Sequence, residues 1–176
     1  MIWRRLHPLF LVLGVWLLAF FFANVEVQIE GAAGWAAGLP VTFRVEKHWL
    51  LDVFWGGRPM TGYHAWIFAF MALVFHLPLL LLWTWSWKLE ARVLGCVMIF
   101  WILEDAMWFP LNPAYGWQRL LAKQVPWHRS WFLGLPTDYW TFSLTGAALL
   151  WWSFRKPRVK APPAESAGAD AGGGAS

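Results

Sequence analysis

Cysteine, charge and the motifs of familiar enzyme classes are scarce or missing in this chain. The single cysteine, Cys96, excludes an internal disulfide and a thiolate-cluster metal site. Charged residues make up only 14% of the 176 residues, against about 25% in ordinary globular domains. The sequence has no glycine-rich phosphate loop, no GxSxG motif and no HExxH motif. No basic cluster lies outside the apolar segments, so we expect no nucleic-acid partner.

Apolar residues dominate what is present. They form 59% of the chain, and the mean hydropathy is +0.46, which disfavours both a soluble domain and a disordered chain. A membrane-spanning helix needs about 20 mostly apolar residues, and four segments qualify, at about 6–25, 63–85, 93–109 and 139–154. We therefore predict an all-α membrane protein, a four-transmembrane-helix bundle with ordered extracytoplasmic loops, in a single domain over residues 1–160.

Basic residues flank the apolar segments on one side. Arg4 and Arg5 precede the first segment, Lys88 and Arg92 lie between the second and third, and Arg155 begins a basic run after the fourth. Short connections rich in Lys and Arg face the cytoplasm. The pattern predicts a multi-pass protein of the cell's inner membrane, with both termini cytoplasmic and the two long loops outside.

The two long loops are aromatic and moderately apolar, so we expect them to pack as a lid on the outer membrane surface. The run VEVQIE at 25–30 alternates apolar and polar residues, a pattern typical of a strand. Thr61 and Asp138 precede apolar runs and are predicted helix caps.

Tryptophan and tyrosine favour the membrane interface, so most of these residues are expected to be interfacial anchors. Those assigned to the outer side are Trp108, Tyr115, Trp117, Trp127, Trp131, Tyr139 and Trp140.

Small residues and the C-terminal tail complete the structural prediction. Gly95 in the third segment and Gly146, Ala147 and Ala148 in the fourth are expected to let these two helices approach closely. The tail at 161–176 is rich in Ala, Gly and Pro and has no residues able to build a core. It is therefore predicted to be disordered.

Ionisable residues within apolar segments are costly and are candidate functional groups. This chain has His76 in the second segment and the adjacent pair Glu104–Asp105 near the outer end of the third. His64 begins the second segment, and His128 lies in the aromatic loop PWHRSW. We predict an outer-face site that joins His64, the acidic pair and His128, with Glu30 or His48 as further candidates.

These residue types support more than one chemistry. An acid buried among Phe and Trp could exchange a proton with a lipid, with Glu104, Asp105, His64 and His128 as the catalytic set. Alternatively, His64, His128 and Glu104 could bind a metal ion. The acids could also only fix helix packing, or pair with a loop arginine such as Arg58 or Arg129. The residues do not define a cofactor.

Three functions remain open on the sequence alone. The first is an enzyme that modifies a lipid or isoprenoid by proton transfer, with membrane lipid as its partner. The second is a non-catalytic subunit or assembly factor of a membrane complex, which implies a membrane-protein partner or a homo-oligomer. The third is a metal-binding protein at the outer face.

The run from Leu103 to Phe109, LEDAMWF, resembles the acidic, aromatic-rich motif of small membrane-embedded lycopene cyclases. In that family a proline and two acidic residues precede a pair of phenylalanines. Here Leu103 stands in place of the proline and Trp108–Phe109 in place of the phenylalanine pair. The resemblance covers seven residues and implies that Glu104 and Asp105 take part in protonating a polyene.

Overall fold

Helices make up most of the computed structural model, which describes residues 2–121 and 124–155. The predicted disordered tail at 161–176 lies outside the described residues. The elements in chain order are α1 (Ile2–Glu30), β1 (Arg44–Val45), α2 (Trp49–Phe54), β2 (Met60–Thr61), α3 (Gly62–Leu81), α4 (Trp87–Leu111), α5 (Gly116–Leu121), β3 (Trp131–Phe132), β4 (Leu135–Pro136) and α6 (Thr137–Phe154). The strands form two short antiparallel pairs, β1–β2, which enclose α2, and β3–β4.

Three helices in the described part of the chain are long and apolar enough to cross a membrane: His7–Glu30 within α1, Gly62–Leu81 and Trp87–Leu111. They correspond to the first three predicted segments and confirm a membrane-embedded, mainly helical protein. The fourth predicted segment forms α6, a helix of 18 residues that does not belong to this set of three.

The run VEVQIE is helical, so its predicted strand is wrong. It forms the last six residues of α1, because extending an existing helix by one residue is far easier than starting a new element. Gly31 ends the helix with a positive φ of 59°, and its N–H donates to the Val27 carbonyl, a common helix terminator. As a result, Glu26 and Glu30 lie one helical turn apart on the same side of α1.

α4 is the central helix, and α1, α3 and α6 each pack against it. Val15, Ala19, Met71, Cys96 and Phe100 form the apolar core between these helices.

The contact between α4 and α6 depends on two glycines. A β-carbon on Gly95 would lie 2.9 Å from the Gly146 carbonyl oxygen, and one on Gly146 would lie 3.1 Å from Ile99. The predicted close approach at these two glycines is therefore present, whereas Ala147 and Ala148 are exposed.

The two long loops meet at one end of the molecule, where α1 and α4 end and α3 and α6 begin. We name this the loop end. Its apolar cluster consists of Trp108, Phe109, Leu120, Val125, Trp127 and Tyr139, all buried. The prediction that Trp108, Trp127 and Tyr139 are interfacial anchors is therefore wrong, because loop residues cover them and join them to the end of α4.

The opposite end brings the start of α1, the α3–α4 connection and the end of α6 together. The His7 ring lies edge-on to Phe154 at 6.2 Å. Arg92 donates to the Ser153 carbonyl at 3.2 Å, and the Lys88 ammonium group donates to the Arg155 carbonyl. The four long helices therefore alternate in direction along the chain.

Candidate functional site at the loop end

A cavity of about 70 Å³ lies at the loop end, between α1, α3, α4 and α6. Its lining combines acidic residues, one arginine, one histidine and an apolar, mostly aromatic wall. The ionisable residues in the lining are Glu26, Glu30, Arg58, His64, Glu104, Asp105 and Asp138. The apolar residues in the lining are Trp35, Phe54, Trp55, Ile67, Phe68, Trp101, Ile102, Trp108, Trp127 and Phe142.

Arg58 is the charged centre of one half of the cavity. Its guanidinium group pairs with Asp105 at 3.1 Å and with Asp138, and both Arg58 and Asp138 are buried. Its Nε also donates to the Trp55 carbonyl at 3.1 Å. Burial alone would lower the pKa of Arg58, but the carboxylates of Asp138 and Asp105 outweigh burial and raise it above its ordinary value. Arg58 is therefore a permanent cation.

Asp138 does not cap α6, so its predicted capping role is wrong. The N-cap position is Pro136, and Asp138 lies in the first turn of the helix. Its carboxylate pairs with Arg58 instead. A buried arginine needs an acidic partner, and this requirement takes precedence over a capping bond.

Tyr139 and His128 complete this ion cluster. The Tyr139 hydroxyl donates to Asp105 Oδ2 at 2.5 Å. His128 is buried, with Nε2 3.5 Å from Asp105 Oδ2 and Nδ1 3.9 Å from Asp138 Oδ1. Both distances are too long for a well-formed hydrogen bond, and neither ring nitrogen has a hydrogen-bond partner among the described residues. The side chains of Arg58, Asp105, Asp138, His128 and Tyr139 are called the ion cluster below.

The other half of the cavity is acidic. Glu26 accepts a hydrogen bond from the Tyr63 hydroxyl at 2.7 Å, and Glu30 accepts one from the Ala36 N–H at 2.6 Å. Glu104 is 6% exposed, and its carboxyl group makes neither an ion pair nor a hydrogen bond with any described side chain. We call Glu26, Glu30 and Glu104 the acidic group.

His64 and Trp35 form one wall between the two halves. The rings stack at 3.8 Å with an interplanar angle of 23°, and the Arg58 guanidinium group lies 4.3 Å from the centre of the Trp35 ring. His64 Nδ1 shares a hydrogen bond of 2.8 Å with the Thr61 hydroxyl. Thr61 does occupy the N-cap position of α3, but it makes no side-chain capping bond, so the predicted cap is present in position only.

The structure brings three of the four predicted site residues to the same cavity. Glu104, Asp105 and His64 line it, whereas His128 lies behind Asp105 and Asp138 within the ion cluster. Glu104 and Asp105 have different surroundings: Asp105 contacts Arg58, and Glu104 belongs to the acidic group. Among residues 2–121 and 124–155, no three His, Cys, Asp or Glu side chains are arranged to hold a metal ion.

Two other predicted candidates lie elsewhere. His48 caps the short helix α2, where its Nδ1 accepts from the Leu50 N–H at 3.3 Å. His76 shares hydrogen bonds with the Ala72 carbonyl at 2.7 Å and with Glu90 at 3.0 Å, which places it in the half of α3 remote from the cavity.

Several residues of the site are not predicted by the sequence patterns. Glu30 is a predicted further candidate and lines the cavity, but Glu26 is not predicted, because its spacing of four from Glu30 is a helical signal that the assignment of a strand conceals. Asp138 pairs with a residue 80 positions away, a contact that a local pattern does not encode. Arg58 enters the sequence prediction only as one of two loop arginines, and Tyr139 only as an interfacial residue.

Comparison of the chain with protein-family models, with curated proteins and with solved structures finds no match. The assignment of a function therefore depends on the chemistry of the cavity. That cavity contains a firmly held cation with two carboxylates, a separate carboxyl group that no basic side chain holds, and aromatic faces around both.

Proposed function

We propose that this chain is an integral membrane enzyme that transfers a proton to and from an uncharged lipid or isoprenoid, with Glu104 as the exchanging acid. The observation that carries the proposal is the contrast between two adjacent acids. Asp105 is paired with Arg58 at 3.1 Å. Glu104 is buried beside the same cavity with no ion pair and no hydrogen bond to a described side chain, so its carboxyl group is available to a ligand.

The proposed reaction needs no cofactor. The Glu104 O–H gives its proton to one carbon of a C=C bond, and the π electron pair of that bond becomes the new C–H bond. The neighbouring carbon becomes cationic and is stabilised by the aromatic wall of the cavity, in which Trp101 lies one turn from Glu104. The carboxylate of Glu26, which accepts from the Tyr63 hydroxyl, then takes a proton from an adjacent carbon, and that C–H electron pair forms a new double bond.

The substrate is therefore isomerised without a change in its composition. The proton returns to Glu104 by exchange within the acidic group. In this scheme the ion cluster anchors the loops and holds Asp105 in place, while the acidic group performs the chemistry.

We also propose that α6 is a fourth membrane span and that both termini are cytoplasmic, in the cell's inner membrane. At about 1.5 Å per residue, the 18 residues of α6 extend about 27 Å, close to the hydrocarbon thickness. The contacts of Lys88 and Arg92 with the end of α6 support this arrangement, because Lys and Arg favour the cytoplasmic side. Fusing a reporter that is active only in the cytoplasm to the C-terminus tests the orientation, and an inactive, stably produced fusion would contradict it.

Deuterium exchange tests the proposed reaction even while the substrate is unidentified. The purified protein is placed in lipid nanodiscs that contain geranylgeraniol and the neutral lipids of the cells that produced it, and is incubated in heavy water. Proton transfer to and from carbon leaves deuterium in C–H positions, and mass spectrometry of the extracted lipids detects it. We expect deuterium in at least one neutral lipid with the native protein and at least a hundredfold less with Glu104→Gln.

The matched control is Glu46→Gln. Glu46 is an exposed acid in a pair with Arg44, outside the cavity, and its variant should exchange at the native rate. The proposal is wrong if no lipid gains deuterium above protein-free nanodiscs, or if Glu104→Gln exchanges as fast as the control.

A further inference from the structure

The indole of Trp108 has a donor that the protein leaves unused. Trp108 is 4% exposed and lines the cavity, and its Nε1 is buried without a hydrogen-bond partner among the described residues. Burying an unpaired N–H is costly. By contrast, the Nε1 of Trp35 in the same cavity donates to the Pro59 carbonyl at 2.9 Å. The unused donor therefore indicates a partner that is not part of the polypeptide.

Trp108 and Glu104 lie one turn apart on α4, on the same face of the helix, and both line the cavity. Across from them, Glu26 on α1 has one oxygen engaged by Tyr63, and its second oxygen accepts no described hydrogen bond. A ligand group here would lie beside an indole with an unpaired N–H, a carboxyl group without a described partner and a second oxygen of Glu26 that accepts no described hydrogen bond.

These three groups restrict the chemistry of the ligand. An indole N–H can only donate, so the ligand must accept. An ammonium group has no lone pair to accept with and would leave Trp108 unpaired. A phosphate or carboxylate would find no free cation in the cavity, because Arg58 is already paired with Asp105 and Asp138. An uncharged hydroxyl group fits all three, because its oxygen accepts from Trp108 Nε1 and from the Glu104 O–H, and its own O–H donates to Glu26.

The size of the cavity restricts the rest of the ligand. About 70 Å³ is far below the 300–1,000 Å³ of pockets that enclose whole ligands. It accommodates a polar head but not an apolar chain. The chain must therefore leave the cavity.

An exit exists between α3 and α6, which both pack on α4 and have little contact with each other. Trp55, which follows α2, covers this gap and lies 5.3 Å from the Phe68 ring of α3 and 6.4 Å from the Phe142 ring of α6. All three aromatic residues line the cavity. The gap faces the region that the bilayer would occupy beside the spans, so an apolar chain can pass into lipid.

We infer that the cavity binds the hydroxyl head of a neutral lipid alcohol, with Trp108 Nε1 donating to its oxygen and its apolar chain passing between α3 and α6 under Trp55. This names the substrate class of the proposed enzyme and rests on that proposal for the chemistry at Glu104. The binding itself does not depend on catalysis.

The test compares ligands that differ only in the head group. Geranylgeraniol, the same chain with hydrogen in place of the hydroxyl group, and geranylgeranylamine are titrated separately into the full-length protein in nanodiscs, and bound ligand is measured by native mass spectrometry. We expect the alcohol to bind about fivefold more tightly than the hydrocarbon, the effect of one good hydrogen bond. Trp108→Phe should lose most of this preference, because only the bonds to the carboxyl groups of Glu104 and Glu26 remain.

Two controls separate binding from folding. Trp117→Phe alters an exposed indole on α5 and should keep the preference for the alcohol. Trp108→Phe removes buried ring volume from the apolar cluster as well as the donor, so its unfolding temperature should fall, and an unchanged affinity for the hydrocarbon shows that its cavity is still formed. Trp35→Phe, which loses the bond to Pro59, should unfold at a lower temperature.

Each outcome decides for or against the inference. Equal binding of alcohol and hydrocarbon to the native protein overturns it, and so does a preference that is undiminished in Trp108→Phe. Tightest binding of the amine also overturns it and identifies a cation site in the acidic group. A preference that depends on Trp108 supports it even if no lipid gains deuterium, in which case only the proposed enzyme function fails. Deuterium exchange without any head-group preference supports the enzyme function and overturns this inference.

Discussion

Replacing Arg58 with methionine should be among the most damaging single changes in this protein. The side chain of Arg58 is 6% exposed and that of Asp138 is 1% exposed. Removing the cation leaves Asp138 as a buried carboxylate and Asp105 as a partly buried one, without a counter-charge. Breaking a buried ion pair from one side costs about 3–5 kcal/mol. We expect the free energy of unfolding to fall by about that amount.

The comparison with an exposed pair makes this prediction specific. Arg44 pairs with Glu46, and their side chains are 46% and 57% exposed. Exposed pairs contribute about 0–1 kcal/mol, so Arg44→Met should change stability very little. Unfolding of the purified variants by denaturing detergent in mixed micelles, followed by circular dichroism, measures both free energies on one scale.

A rescue variant tests the electrostatic cause. Combining Arg58→Met with Asp105→Asn and Asp138→Asn removes the unpaired charges together with the cation, and should recover most of the lost stability. Because the two carboxylates raise the pKa of Arg58 above its already high ordinary value, its stabilising charge persists throughout the accessible pH range. A loss in Arg58→Met no larger than that in Arg44→Met would refute this account of the ion cluster, as would a triple variant less stable than Arg58→Met.

Two further predictions concern the packing and hydrogen bonds that support the cavity. Gly146→Leu should lower the free energy of unfolding by about 1–3 kcal/mol, because a β-carbon there already lies 3.1 Å from Ile99. Gly14→Ala is the control and should not lower it, because nothing lies within 4 Å of the added carbon. Equal losses in the two variants would contradict the close approach of α4 and α6. Tyr139→Phe should lower the free energy of unfolding by about 1.5–3 kcal/mol, because it removes the 2.5 Å hydrogen bond to Asp105. An unchanged free energy of unfolding would show that this bond does not support the ion cluster.

The membrane helices could be predicted from sequence because long apolar runs have few alternatives in water or lipid. The boundaries were less predictable. Alternation over the six residues of VEVQIE fits a strand, but the helix that precedes it extends through them to Gly31. The 18 residues of α6 include Asp138 and several threonines and serines, so its mean hydropathy is too low to place it with the other three helices.

The site was predictable in its parts but not in its arrangement. A buried Glu–Asp pair is visible in the sequence because such residues are rare in apolar segments. Which acid is paired depends on Arg58, a residue 47 positions from Asp105, and on how the loops fold over the end of α4. The unused donor of Trp108 has no sequence signature at all, since tryptophan is common in this chain and its partner is defined only by packing.

The central claim is that Glu104 exchanges the proton whereas Asp105 only pairs with Arg58. One paired measurement tests it most directly. Deuterium incorporation into neutral lipid and the free energy of unfolding are both measured for Glu104→Gln and Asp105→Asn. Glu104→Gln should lose exchange at least a hundredfold and keep native stability, because no described ion pair or hydrogen bond is lost. Asp105→Asn should lose stability, because Arg58 and Tyr139 lose a charged partner. A Glu104→Gln variant that exchanges at the native rate while Asp105→Asn remains stable but does not exchange would contradict the assignment.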